Sequence, residues 1–227
     1  MTSIGIVIPC YNESKSLLKL IDKLSEIKSS DVKFMILDNG STDETSQIIS
    51  KAALPKNIST HRIEHNQGYG FGIVSGLKII GTDYVGWTHA DLQTDPQDVL
   101  LFLEDVSDGA KFLKGLRYGR PASDKFFTAG MSVIVSILFQ RVVRDINAQP
   151  TILSREAFER WQNPPSDFSL DLFAYIEAVK SGYKIKRHPV QFVEREHGNS
   201  HWNHGLKSRL KFIKRTLIMA FNLRLNQ

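Results

Sequence analysis

Apolar positions in the first hundred residues alternate between two periods. Ile4–Pro9 (IGIVIP) is a short unbroken β-rich run, the pattern of a buried strand. From Glu13 to Lys28 the apolar residues fall at Leu17, Leu20, Ile21, Leu24 and Ile27, which is helical spacing. Lys33–Asp38 (KFMILD) is a second strand ending in the polar turn Asn39-Gly40-Ser41-Thr42-Asp43. Ser41 or Thr42 is placed there to cap a helix over Glu44–Ala53. Ile58–Ile63 gives a third strand. Gly68–Ile80, with Phe71, Val74, Leu77 and Ile80 in helical register, gives a helix entered through a glycine turn. Asp83–Thr88 (DYVGWT) is a fourth strand, and Asp95-Pro96 opens the next helix as N-cap and first helical residue.

The second half is less regular. Lys111–Arg117 reads as a strand, Asp124–Val143 as a long apolar helix, Thr151–Trp161 as strand then helix, Phe168–Ser181 as a helix and Tyr183–Val193 as a strand. The alternation predicts an α/β domain built on a mostly parallel sheet flanked by helices. Such sheets bind ligands at the carboxyl ends of their strands. The residues there are Cys10-Tyr11-Asn12-Glu13, Asp38-Asn39 and His89-Ala90-Asp91.

Composition changes this picture mainly through charge. The 227 residues include 41% hydrophobic and 23% charged, ordinary values for one large globular domain. One cysteine, Cys10, excludes a disulfide framework and fits a reducing compartment. The net charge is +5, but Lys207, Arg209, Lys211, Lys214, Arg215 and Arg224 stand in a tail with no acid after Glu196. The tail from His197 therefore carries +6 and the body −1. That distribution argues against a nucleic-acid binder and for a basic segment that meets an anionic surface. Leu206, Leu210, Ile213, Leu217 and Ala220/Phe221 recur at helical spacing, with the lysines on another face. This predicts either an interfacial helix over 205–227 on an anionic membrane or a C-terminal helix packed on the domain. No signal sequence or ~20-residue apolar span is evident. The expected location is therefore cytoplasmic, peripheral at the inner face of the membrane.

Neither G-x-G-x-x-G nor G-x-x-x-x-G-K-[ST] occurs, which counts against a dinucleotide dehydrogenase and a P-loop enzyme. What does occur is an ordered set: Val7-Ile8-Pro9-Cys10-Tyr11-Asn12-Glu13, then Asp38-Asn39-Gly40-Ser41-Thr42-Asp43, then Asn66-Gln67-Gly68, then His89-Ala90-Asp91-Leu92-Gln93. Gly115-Leu116-Arg117, Asp145–Arg155 (DINAQPTILSR) and Arg195–Ser200 (REHGNS) continue it. This order resembles the family 2 glycosyltransferases of the GT-A fold, in particular the branch that acts on polyprenyl and dolichyl phosphates, without its transmembrane helices.

The resemblance implies a metal-assisted, inverting transfer of a sugar from a nucleotide-sugar donor. It implies one catalytic domain over 1–204, with the donor bound by 1–120 and the acceptor by 121–204. Pro9, Tyr11, Asn12, Glu13, Asp38, Asn39, Asn66, Gly68 and Ala90 would hold the nucleotide. Asp91, with Gln93 and His89, would hold a divalent Mn2+ or Mg2+. His89 stands where the family has an Asp, and imidazole suits manganese better than magnesium. Asp38 has a rival role as a turn cap, and Asp91 as a strand-end cap. Arg117 and Arg195 stand where the polyprenyl-phosphate branch carries arginines for the acceptor phosphate.

The acceptor is then a lipid phosphate at the membrane face, bound by cations. Alternatively it is a saccharide hydroxyl, with Asp171 or Asp167 as general base. A third reading, kept open by His89, is a non-catalytic nucleotide-binding homologue. A homo-oligomer or a membrane-protein partner is also open. Cys10 falls in the nucleotide loop, so donor is expected to block its alkylation.

Overall fold

The structure, a computed structural model, describes residues 2–119, 122–194, 214, 216–221, 223 and 224. Seven strands form one sheet in the order β3-β2-β1-β4-β6-β5-β7. They are β1 (Ile4–Cys10), β2 (Val32–Asn39), β3 (Ile58–Ile63), β4 (Tyr84–Trp87), β5 (Phe112–Tyr118), β6 (Thr151–Ser154) and β7 (Ile185–Gln191). Every pairing is parallel except those of β6, which runs antiparallel to both β4 and β5. The helices are α1 (Ser14–Glu26), α2 (Thr45–Lys51), α3 (Tyr69–Ile79), α4 (Leu103–Ser107, entered through a 3-10 turn over Pro96–Phe102), α5 (Ala122–Phe139), α6 (Arg155–Glu159) and α7 (Leu170–Lys180).

Successive strand residues point to opposite faces, and both faces are covered. Ile4, Ile6 and Ile8 of β1 pack with Leu17, Leu20 and Leu24 of α1 and with Val99, Phe102 and Val106. Val7, on the other face, packs with Ile73 and Leu77 of α3 and with residues of α5, α6 and α7. The unbroken apolar runs of β1 and β2 are thus explained by burial on two sides.

Some boundaries differ from the sequence reading. Neither Ser41 nor Thr42 caps α2. Its N-cap is Glu44, and Asp43 Oδ1 instead accepts from Thr45 N–H at 2.9 Å. The long helix stops at Phe139, because Gln140 adopts φ +52° and Val143 N–H turns back to Ser136 Oγ at 2.9 Å. Asp95 does cap its segment, accepting from Gln97 N–H at 3.0 Å. Residues 205–213 of the expected tail helix lie outside the described residues. The described part beyond is helical, with Ala220 and Leu223 buried in the α3–α5–α7 cluster and Ile218 and Phe221 exposed.

Candidate active site

The strand order reverses between β1 and β4, and open α/β sheets bind ligands beyond the carboxyl ends of the strands at such a point. The loops after β1, β2, β3 and β4 meet there. Asn12, at φ +57°, binds the β1 loop to the β2 turn. Its Oδ1 accepts from Thr42 N–H (2.9 Å), Thr42 Oγ1 (3.3 Å) and Asp43 N–H (3.4 Å), while its own N–H donates to Ser41 Oγ (3.1 Å). Glu13 N–H donates to Thr45 Oγ1 at 3.0 Å. Tyr11 stands 40% exposed at the rim, where its ring is open to a ligand.

Asp38 is buried. Its Oδ1 accepts from Ser41 N–H (2.9 Å), and its Oδ2 from Ser46 Oγ and from Arg62 Nη1 (2.7 Å). The β2–β3 register sets Arg62 beside it. In this geometry Asp38 braces the turn. Asn39 is also buried. Its Nδ2 donates to the Gly68 carbonyl at 3.0 Å, and its Oδ1 has no hydrogen-bond partner among the described residues. Asn66 Oδ1 accepts from Gly68 N–H at 2.8 Å. Gly68 has φ +113°, and a Cβ there would lie 2.3 Å from the Ser166 carbonyl oxygen. Only glycine fits that approach.

Pro9 is partly buried, and Ala90 is buried in the β1–α1 core. Ala90 can therefore offer a ligand only its backbone. Cys10 is fully buried, and burial, then the Glu13 and Asp38 charges, push its thiol far above the ordinary range. This corrects the expectation that donor blocks its alkylation: the thiol is shielded and protonated without donor.

Beyond β4, His89 and Asp91 are partly buried. Asp91 Oδ1 accepts from Gln93 N–H at 3.1 Å. Gln93 Nε2 donates to the Val193 carbonyl (3.3 Å), and Val193 N–H donates to the Gln93 carbonyl (2.9 Å), so Gln93 ties the metal-loop candidate to the chain leaving β7. No group of three or more His, Cys, Asp or Glu poised for a metal exists among the described residues. One carboxylate, with an imidazole two positions before it in the same loop, nonetheless fits a divalent cation whose remaining ligands would be diphosphate oxygens.

The acceptor-side candidates are differently placed. Arg117 is held by Asp145: its N–H donates to Oδ2 at 2.8 Å, its Nε to Oδ1 at 3.0 Å, and its Nη2 also reaches Oδ1. Its guanidinium lies 5.2 Å from the Phe192 ring centre. Leu116, Tyr118 and Val193 are exposed apolar side chains in the adjoining segments, but Leu116 and Tyr118 alternate with Arg117 along β5 and so belong to the opposite face of the sheet. Arg195 lies outside the described residues.

Asp171 is buried at the start of α7. Its Oδ1 receives Gln149 Nε2 (2.8 Å) and Trp87 Nε1 (3.3 Å), with Lys114 Nζ at 3.6 Å. Asp167 Oδ1 accepts from Ser169 N–H at 2.8 Å, a helix-entry role. The sequence reading missed Tyr69 and Lys114. Tyr69 stacks on Phe168 (4.5 Å, 16°) and lies 5.8 Å from the His89 ring. Burial, then the Asp171 charge, hold its hydroxyl well above the usual phenol range. Lys114 is a charge inside an apolar strand, Phe112-Leu113-Lys114-Gly115, and that interruption is the signal that could have found it.

The family model for glycosyl transferase family 2 matches residues 5–159. Undecaprenyl-phosphate 4-deoxy-4-formamido-L-arabinose transferase of Salmonella choleraesuis is 26% identical over 210 residues, 88% of this chain and 62% of the relative. The chain thus spans about three fifths of the length of the curated relatives it matches. Glucosyl-3-phosphoglycerate synthase of Mycobacterium tuberculosis, crystallised with Mn2+, UDP and glucosyl-3-phosphoglycerate, superposes with a TM-score of 0.75 at 18% identity. It covers 98% of this chain and 80% of its own. The same synthase with Mg2+ and UDP gives 0.71 at 17% identity, covering 98% and 79%. These neighbours share the GT-A fold. With the family model covering more than half of its length, the chain belongs to the family 2 glycosyl transferases.

Proposed function

We propose that this chain transfers a sugar from a nucleotide-linked donor to a polyprenyl phosphate at a membrane face. One observation carries the choice of acceptor. Asp171, the acceptor-side carboxylate, is buried and its Oδ1 is already engaged by Trp87, Gln149 and Lys114. A neutral sugar hydroxyl needs a base within reach of its proton. A phosphate oxygen is already ionised and needs cations that orient it. Arg117, already ion-paired with Asp145, and Arg195 are the cations assigned to it. The Salmonella relatives, named for undecaprenyl phosphate, agree with this acceptor class.

On the donor side Tyr11 supports the base. Pro9, Asn12, Glu13, Asn39, Asn66, Gly68 and the Ala90 backbone line the nucleotide, and Asp38 keeps their turn in shape. Asp91 and His89, with Gln93, would hold a divalent Mn2+ or Mg2+, which would offset charge on the leaving diphosphate. The acceptor oxygen attacks the face opposite the diphosphate and inverts the anomeric carbon in one displacement. The basic tail, 205–227, keeps the chain at an anionic lipid surface, each basic residue contributing about 1 kcal/mol.

The test is transfer from UDP- and GDP-linked sugars to undecaprenyl phosphate with Mn2+ or Mg2+. Turnover is expected to need the cation and to fall about 100-fold or more in Asp91→Asn. Full turnover in Asp91→Asn contradicts the metal assignment. Nucleotide binding without turnover on any donor identifies a non-catalytic homologue instead.

A further inference from the structure

Across β4, β6, β5 and β7 the register lines up Trp87, Thr151, Lys114 and Arg187. Residues opposite one another in a sheet share a face, and this row meets α7. Asp171 touches Trp87 and Lys114. Tyr175, one turn further on, lies 5.5 Å from the Arg187 guanidinium. Lys114 is fully buried, donating to Thr151 Oγ1 at 2.5 Å with Asp171 Oδ1 at 3.6 Å. A buried ion pair constrains what packs around it, since losing either charge leaves the other uncompensated.

Its partners lead to both halves of the site. Trp87 precedes the His89–Asp91 loop. Lys114 is on the same strand as Arg117, and Gln149, the third contact of Asp171, is on the segment that carries Asp145, the partner of Arg117. We propose that Lys114 is a positioning residue: through Asp171 and Trp87 it fixes the His89–Asp91 loop relative to Arg117, and so sets donor against acceptor. This rests on the transfer reading above. The charged groups around Lys114 are Asp171 of α7, Arg187 of β7, Asp145 of the segment after α5 and Arg117 of its own strand. Burial, with Arg187 and Arg117, lowers the Lys114 ammonium to about 8 against the pull of Asp171 and Asp145. Raising the pH through that value removes the pair's positive charge.

The experiment follows the Trp87 indole N–H by nitrogen-15 NMR through a pH series, with Trp87→Phe to assign it. The Trp87 signal is expected to shift with a midpoint near 8. In Lys114→Arg, whose charge persists, that inflection should vanish from the range. In parallel, kcat should fall about tenfold per pH unit above that midpoint with the donor KM unchanged, and Lys114→Arg should move this fall upward. A purely structural role would lower the melting temperature of Lys114→Met without moving either profile. A flat Trp87 signal, or a kcat profile that Lys114→Arg leaves in place, overturns the proposal. If no donor turns over, the transfer reading fails, while the indole series still decides whether Lys114 governs Trp87. Lys114→Arg and the wild-type series decide even where Lys114→Met does not fold.

Discussion

Asn12 turns its amide oxygen back onto Thr42 and Asp43, so one side chain sets the shape of two ligand loops. Asn12→Ala removes that acceptor and strands N–H groups that Asn12→Asp would still satisfy. Urea unfolding should show a loss of about 1–2 kcal/mol for alanine and a smaller one for aspartate. Calorimetry with UDP should show weaker binding for alanine. The sequence picks out Asn12 by its motif, as it does Tyr11, Asp38 and Asp91. It does not separate a group that faces a ligand from one that braces a loop. Asp38 shows the difference: Arg62, 24 positions away, reaches it through a strand register that no local pattern reveals. Cys10 and Lys114 were misjudged or missed for the same reason, since burial against another element is not written in adjacent residues.

At the scale of elements, the alternation of strand and helix was legible because hydrophobic periodicity is local. Each of the seven strands overlaps a run that the pattern marks, with β1 and β5 extending one residue past its carboxyl end and β2 one residue past each end. The antiparallel insertion of β6 between β4 and β5 was not legible, because pairing partners are far apart in sequence. The 3-10 turn after Asp95 carries a testable strain. Asp98, within it, has a buried Oδ2 without a hydrogen-bond partner among the described residues. Burial, then the Asp95 charge, raise its carboxyl to about 6. The folded chain therefore holds this proton more tightly than the unfolded chain, and the stability it confers drops as pH rises from about 4 through 6. Asp98→Asn should melt higher than wild type above pH 6, with the gap closing below pH 4; calorimetric scans across that range check this. A constant gap, or none, contradicts it.

At the scale of the whole molecule, a two-faced sheet brings the loops after β1–β4, proposed to hold the nucleotide, into one chain with β5, α7 and the segment leaving β7, proposed to hold the acceptor. No helix among the described residues is long and apolar enough to cross a membrane. Most of the +6 of the tail lies in residues outside the description, so its contact with lipid rests on sequence. The acceptor is proposed to arrive already ionised, because Asp171, one candidate base, is buried and occupied, and Asp167, the other, accepts from Ser169 N–H at the entry to α7. The most direct measurement compares two acceptors of one chain length, a polyprenyl phosphate and its parent polyprenol, with the same donor and cation. Transfer to the phosphate and none to the alcohol is the expected result. Comparable transfer to the alcohol, or to a saccharide hydroxyl, would contradict it.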